Sequence, residues 1–181
     1  MKNLSPLAER FVLHAGEMGR HWGMSRTTGQ IYALLYLSAQ PLNADDIVDS
    51  LGMSRSNVGA GLKALASWRL IEQAPQPGDR REFFMTPDDS WEVLRRFVVE
   101  KRRREVEPTL LLLREVLHRE ALQEDERQDQ ARLRALYDLL DLVNSWFDDV
   151  QKLSPQTLER LMRLGSRVAR VLDALPPGRR E

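Results

Sequence analysis

The side chains with the most chemical reach in this 181-residue chain fall into two groups. The first is a triplet, His14, Glu17 and His21, spaced so that one helix face could present all three. Two imidazoles and a carboxylate would suit zinc. A single helix rarely supplies three ligands, however, Gly16 and Gly19 weaken this one, and no fourth ligand stands nearby. The expectation is no metal site and no cofactor, with the histidines as ordinary core or surface residues. The second group is polar and cationic: Ser54, Arg55, Ser56, Asn57 and Lys63, then Arg80 and Arg81. Short hydroxyl and amide groups hydrogen-bond base edges, and arginine and lysine bond phosphates. This is recognition chemistry. No Gly-rich phosphate loop, zinc-protease motif or nucleophile elbow occurs, and the chain lacks cysteine. An enzyme is not expected.

The polar residues need an element to aim them. Asn43 is a good N-cap, and Asp45 and Asp46 suit the positive end of a helix that runs to Leu51. Gly52 permits a tight reversal, and Ser54 caps a second helix. Val58, Leu62 and Leu65 mark the buried stripe of that helix. At about 100° per residue, Ser56, Ala60, Lys63 and Ser67 then lie opposite the stripe, with Asn57 and Gly59 flanking them. Gly61 flanks the core side, where close helix packing would account for it. After Leu70 come two short strands around a loop of residues 75–81, with Arg80 and Arg81 at its tip. The fold expected is mainly α: a winged helix-turn-helix with a small β-wing, followed by a C-terminal helical dimerisation region. In such a unit, helix 54–68 fits a major groove and the arginine-bearing wing reaches a minor groove. The candidate DNA-binding residues are Asn43, Ser54, Arg55, Ser56, Asn57, Gly59, Ala60, Lys63, Arg80 and Arg81.

Other elements read as helices. One runs from about residue 4 to 20, started by Ser5 and Pro6 and interrupted by Gly19 to Gly23. A second follows Ser25 or Thr28 to about Ser38, and Pro41-Leu42 suits a short strand pairing with the hairpin. Thr86-Pro87-Asp88-Asp89 reads as the start of the next helix, with Thr86 as its cap. Pro108 kinks or restarts that helix. Farther on, Leu133, Leu136, Leu140, Val143, Phe147 and Val150 follow a heptad seam, widened by Leu139, Leu142 and Trp146. A last helix from Ser154-Pro155 carries Leu161, Val168 and Leu172. So much apolar surface points to a partner chain, and these residues are the candidate homodimer interface. The domains expected are 1–90, which reads DNA, and 91–181, the helical linker and dimerisation region.

Basic and acidic residues balance at 27 each, so bulk charge makes no case for nucleic acid. Locally, residues 54–81 carry five basic side chains against two acidic ones, a charge of +3. No run of eighteen apolar residues and no signal peptide appear, which argues against a membrane and for the cytoplasm. The alternative reading is a winged helix used for protein contact without sequence-specific DNA binding. The near-zero charge favours it; the polar outer face and the wing arginines favour double-stranded DNA.

Residues 43–86 resemble the winged helix-turn-helix of MarR-type regulators. Leu51-Gly-Met-Ser-Arg-Ser-Asn-Val58 and Gly59-x-Gly61-Leu62-Lys63-x-Leu65 are similar to the GbsR branch, as are His21-Trp-Gly-Met-Ser-Arg26 and Gly78-Asp-Arg-Arg-Glu82-Phe. The resemblance covers about residues 18–90. It implies a dimeric bacterial regulator, here expected to be a repressor, in which Asp79 braces Arg81 toward the minor groove. Members of this branch include regulators responsive to choline. A quaternary ammonium needs an aromatic cage, for which Trp22, Tyr32, Tyr36, Trp68 and Trp91 are the candidate walls of a small-effector site.

Overall fold

Serine and asparagine caps start the first four helices of the computed structural model, which describes residues 4–118 and 126–174, with side chains as far as 165. Ser5 Oγ accepts the Ala8 N–H at 3.2 Å and opens α1, Pro6–His21. Ser25 Oγ accepts the Thr28 N–H at 3.0 Å and opens α2, Arg26–Leu37. Asn43 opens α3, Ala44–Leu51, and Ser54 opens α4, Arg55–Ser67. Each cap satisfies an N–H that would otherwise lack a partner, and losing one costs about 1 kcal/mol.

Three short strands complete this part of the chain: β1, Leu42–Asn43; β2, Glu72–Gln73; and β3, Phe83–Met85. They form an antiparallel sheet in the order β1-β3-β2. Leu42 stands opposite Phe84, and Glu72 opposite Met85. The Ala74 N–H donates to the Phe83 carbonyl at 2.8 Å and continues the hairpin toward its loop. The expected strand at Pro41-Leu42 is thus present, shifted by one residue.

The core lies where the helices meet the sheet. Val12, Ile31, Leu35, Ile47, Val58 and Leu65 are almost wholly buried, with Phe84 packed against them. Helix α1 does not break at Gly19. It continues to His21 because Gly19 and Gly16 are contact points with α2. A Cβ on Gly19 would lie 3.2 Å from the Gly29 Cα, and one on Gly29 would run into the Ala15 carbonyl. The two backbones touch, which only glycine permits.

Helix α5 spans Ser90–Lys101 and is capped by Asp89, whose carboxylate accepts the Trp91 N–H at 2.9 Å. The sequence suggested Thr86 for that role. Thr86 is instead buried at the end of β3, and the chain needs the next residues to leave the sheet before the helix can begin. Phe97 of α5 stacks on Trp68 at 5.7 Å and lies 5.5 Å from Trp22.

The chain divides into two compact units, Met1–Arg102 and Arg103–Glu181. One π-helical turn, Arg102–Val106, precedes α6, Glu107–Leu117. Pro108 has no N–H to give and in a regular α-helix its ring would collide with the carbonyl four residues back, which the wider turn avoids. The Thr109 hydroxyl donates to the Glu105 carbonyl at 2.8 Å. In the second unit, α6 packs on α7, Glu126–Val150, and buries Leu110, Leu113 and Leu117. Arg114 ties the two together by donating to Tyr137 Oη at 3.2 Å. Ser154 caps α8, Pro155–Ala174. Among the described residues, no helix is long and apolar enough to cross a membrane.

Candidate nucleic-acid interface

Helix α3 is fixed at its start by a reciprocal capping box. Asn43 Oδ1 accepts the N–H groups of Asp45 and Asp46 at 2.9 and 3.1 Å, and the Asp46 carboxylate accepts the Asn43 N–H at 3.0 Å. Its end is fixed by Gly52, which reverses the chain at φ 67°. The pair of devices delivers Ser54 to the head of α4, where its Oγ accepts the Asn57 N–H at 3.2 Å.

The two faces of α4 then separate cleanly. Val58, Gly61, Leu62 and Leu65 are buried. Ser54, Arg55, Ser56, Asn57, Gly59, Ala60 and Lys63 are exposed. Both glycines in this helix have distinct surroundings. A Cβ on Gly61 would run into Ile31 Cδ1, so Gly61 lets α2 and α4 pack closely, as its position suggested. A Cβ on Gly59 would meet open space.

The wing presents its arginine in a defined pose. Asp79 accepts the Arg81 backbone N–H at 2.9 Å and Arg81 Nε at 3.0 Å, and Arg81 Nη2 also donates to it. The guanidinium carbon lies 5.4 Å over the Phe83 ring. Hydrogen bonds from the Arg81 side chain and backbone hold the Asp79 carboxyl down to about 2. Arg80, beside it, is exposed. The brace that the resemblance implied between Asp79 and Arg81 is therefore a feature of the fold.

Between α4 and the wing lies an open cleft of about 420 Å³. It brings together Asn43, Arg55, Gly59, Lys63 and Arg81 from the residues singled out in the sequence. Ser54, Ser56, Asn57, Ala60 and Arg80 lie outside its lining. Asn43 is only 2% exposed and its side-chain oxygen is taken by capping, so it supports the cleft and does not reach out of it. Sequence reasoning missed Asp45, Gln73 and Glu82 as lining residues. Asp45 accepts from Arg55 Nη1, a pairing between two helices that only the turn at Gly52 creates. Such an exposed pair adds little stability, but it orients a cationic side chain at the cleft.

The aromatic candidates fall into two groups. Trp22 and Trp68 both contact Phe97, and Trp68 is buried. Tyr32 and Tyr36 stack at 6.1 Å, with Phe11 6.5 Å from Tyr36. Burial, and then the neighbouring Tyr36, push the Tyr32 hydroxyl up to about 12. Trp91 is half-buried at the first turn of α5. Near the helix triplet, Glu17 pairs with Arg26 at 3.2 Å, and no group of three potential metal ligands gathers among the described residues.

The apolar seam of α7 is partly open. Leu133, Leu140, Phe147 and Val150 are half-buried, while Leu136, Val143 and, on α8, Leu161 are exposed. The side chains of Val168 and Leu172 lie outside the described residues.

Comparison with known proteins converges on the same segment. Residues 22–82 match the model of the MarR family. The HTH-type transcriptional repressor GbsR of Bacillus subtilis (strain 168) is 24% identical over 140 residues, which are 74% of this chain and 76% of that protein. A crystal structure of a transcriptional regulator shares the fold at a TM-score of 0.66 and 22% identity, over 81% of this chain and 97% of that one. The capped helix pair, the braced wing and the matched segment coincide: residues 22–82 are similar to the MarR family, and the chain as a whole is similar to GbsR.

Proposed function

We propose that this chain is a sequence-specific DNA-binding repressor that works as a homodimer in the cytoplasm. Helix 54–68 enters the major groove, where Ser56 and Asn57 read base edges while Arg55 and Lys63 hold phosphates. Wing 75–81 places Arg81 at the minor groove. Region 1–90 reads DNA, and 91–181 links and pairs two copies.

One observation carries the reading. The outward face of α4 is polar and cationic, and its Arg55, Gly59 and Lys63 share an open cleft with an arginine already aimed by Asp79. A preset guanidinium loses less freedom on binding than a mobile one. Dimerisation is supported by the apolar faces left open on α7 and α8. A pair of readers would engage half-sites about 34 Å apart. Trp22, 45% exposed beside Phe97, supports a small cationic effector such as choline.

The test is selection of genomic fragments by the purified full-length chain, followed by binding to the selected duplex across a salt series. Affinity should fall steeply with salt as condensed counterions are released. Absence of duplex binding, or an affinity unchanged between low and moderate salt, would overturn the reading in favour of a protein-contact module.

A further inference from the structure

We propose that Arg96, on α5, is a positioning residue for the wing. This rests on the DNA-reading role proposed above and names a residue outside the cleft on which it depends. The wing is a small structure: β2 has two residues and β3 has three. A hairpin of that size has little intrinsic stability, so its pose depends on what holds its strands. On one side β3 pairs with β1. On the other, β2 is the edge of the sheet.

Arg96 holds that edge. Its Nη1 lies 2.6 Å from Glu72 Oε1, on the first residue of β2. The same nitrogen donates to the Arg69 carbonyl at 3.2 Å. Arg69 is a non-glycine residue with a left-handed backbone, φ 55°, and sits where the chain leaves α4 for β2. One guanidinium group therefore grips both the elbow and the strand it launches. Glu92, one turn earlier on α5, accepts from Arg96 Nε at 2.8 Å and fixes the fork. Its carboxyl is lowered by the arginines that bond it, and Arg96 is only 26% exposed. Phe97 seats the helix on Trp68, at the end of α4. The hairpin loop carrying Arg81 joins β2 to β3, so a tilt of β2 moves the wing arginine.

The experiment uses the full-length chain and a double-mutant cycle on duplex affinity at fixed salt. Arg96→Ala should weaken binding about tenfold, as for a charge pair whose loss misplaces a contact. The double variant Arg81→Ala/Arg96→Ala should bind within about twofold of Arg81→Ala alone, because the wing arginine is the shared route. Additive losses, or binding by Arg96→Ala equal to that of the unaltered chain, would overturn the assignment. Amide hydrogen exchange supplies a readout that needs no DNA. In Arg96→Ala the Ala74 amide, bonded to Phe83 across the hairpin, should exchange faster while the Leu51 amide in α3 is unchanged. A uniform rise across the first unit, or an unchanged Ala74, would show that Arg96 does not set the wing. If the unaltered chain binds no duplex, the proposed function fails, and the exchange data alone decide the role of Arg96.

Discussion

Helices α4 and α7 are both amphipathic, yet they treat their apolar residues in opposite ways. In α4 the stripe of Val58, Leu62 and Leu65 is sealed against neighbouring elements, and the exposed face is small and polar. In α7, Leu139, Leu142 and Trp146 stay more than half exposed. A surface that must meet water and phosphate excludes apolar groups. One that keeps several large apolar groups in a row is suited to another protein surface. The contrast supports the division of labour in the proposed function, with α4 meeting DNA and α7 meeting a second copy.

Breaking the apolar side should have the largest effect. Leu142→Asp with Trp146→Asp should convert the protein to monomers in light scattering and reduce operator affinity about 100-fold or more, since two linked readers bind far better than one. A variant that stays dimeric would move the interface off α7. The polar side can be probed by Arg81→Ala and Asn57→Ala, each expected to cost about 1–3 kcal/mol of binding. Arg81→Ala should weaken all duplexes alike, whereas Asn57→Ala should also relax base preference at one position per half-site. Equal, sequence-blind losses would remove Asn57 from base reading.

A smaller effect separates the two glycines of α4. Gly59→Ala should raise stability toward urea by up to about 1 kcal/mol, because alanine favours helix and the site is open. Gly61→Ala should lower it, because Ile31 must move. If Gly59 serves close approach to DNA, its substitution will weaken binding while stabilising the fold. The smallest effect is electrostatic. Asp79 is held at about 2 in the folded chain, below the ordinary 3.8. Its support of the wing is therefore complete above the ordinary value and is lost as pH falls toward 2. A carbon-13 titration of the Asp79 carboxyl with a midpoint near 3.8 would show the brace to be absent in solution.

Much of this was legible because it is local. A cap needs only an oxygen and a nearby N–H, so Ser5, Asn43 and Ser54 announced their helices. Gly52 announced its turn, and the spacing of Val58, Leu62 and Leu65 announced which way α4 faces. The brace between Asp79 and Arg81 spans one residue and came with the family resemblance. Thr86 misled because threonine before proline suits a cap, but the sheet had a prior use for it. The π-helical turn was hidden because Arg102 to Val106 differs little in type from the helical residues before it. Contacts such as Asp45 with Arg55, or Arg96 with Glu72, join residues whose neighbourhood exists only after folding. Charge alone offers many equivalent partners, and spacing does not choose among them.

The glycine seam between α1 and α2 will shape any mutational map of this protein. A side chain at Gly29 would drive its Cβ into the Ala15 carbonyl, one at Gly19 would crowd the Gly29 backbone, and one at Gly16 would displace the Gln30 and Arg26 side chains. A saturation screen for the proposed DNA binding would therefore score positions of this seam as intolerant as those proposed to face DNA, although none of them lines the cleft. Read as a picture of function, such a screen would draw a second site where there is only a joint. Counting soluble protein for each variant would separate the two, because the joint fails by abundance and the reading face by affinity.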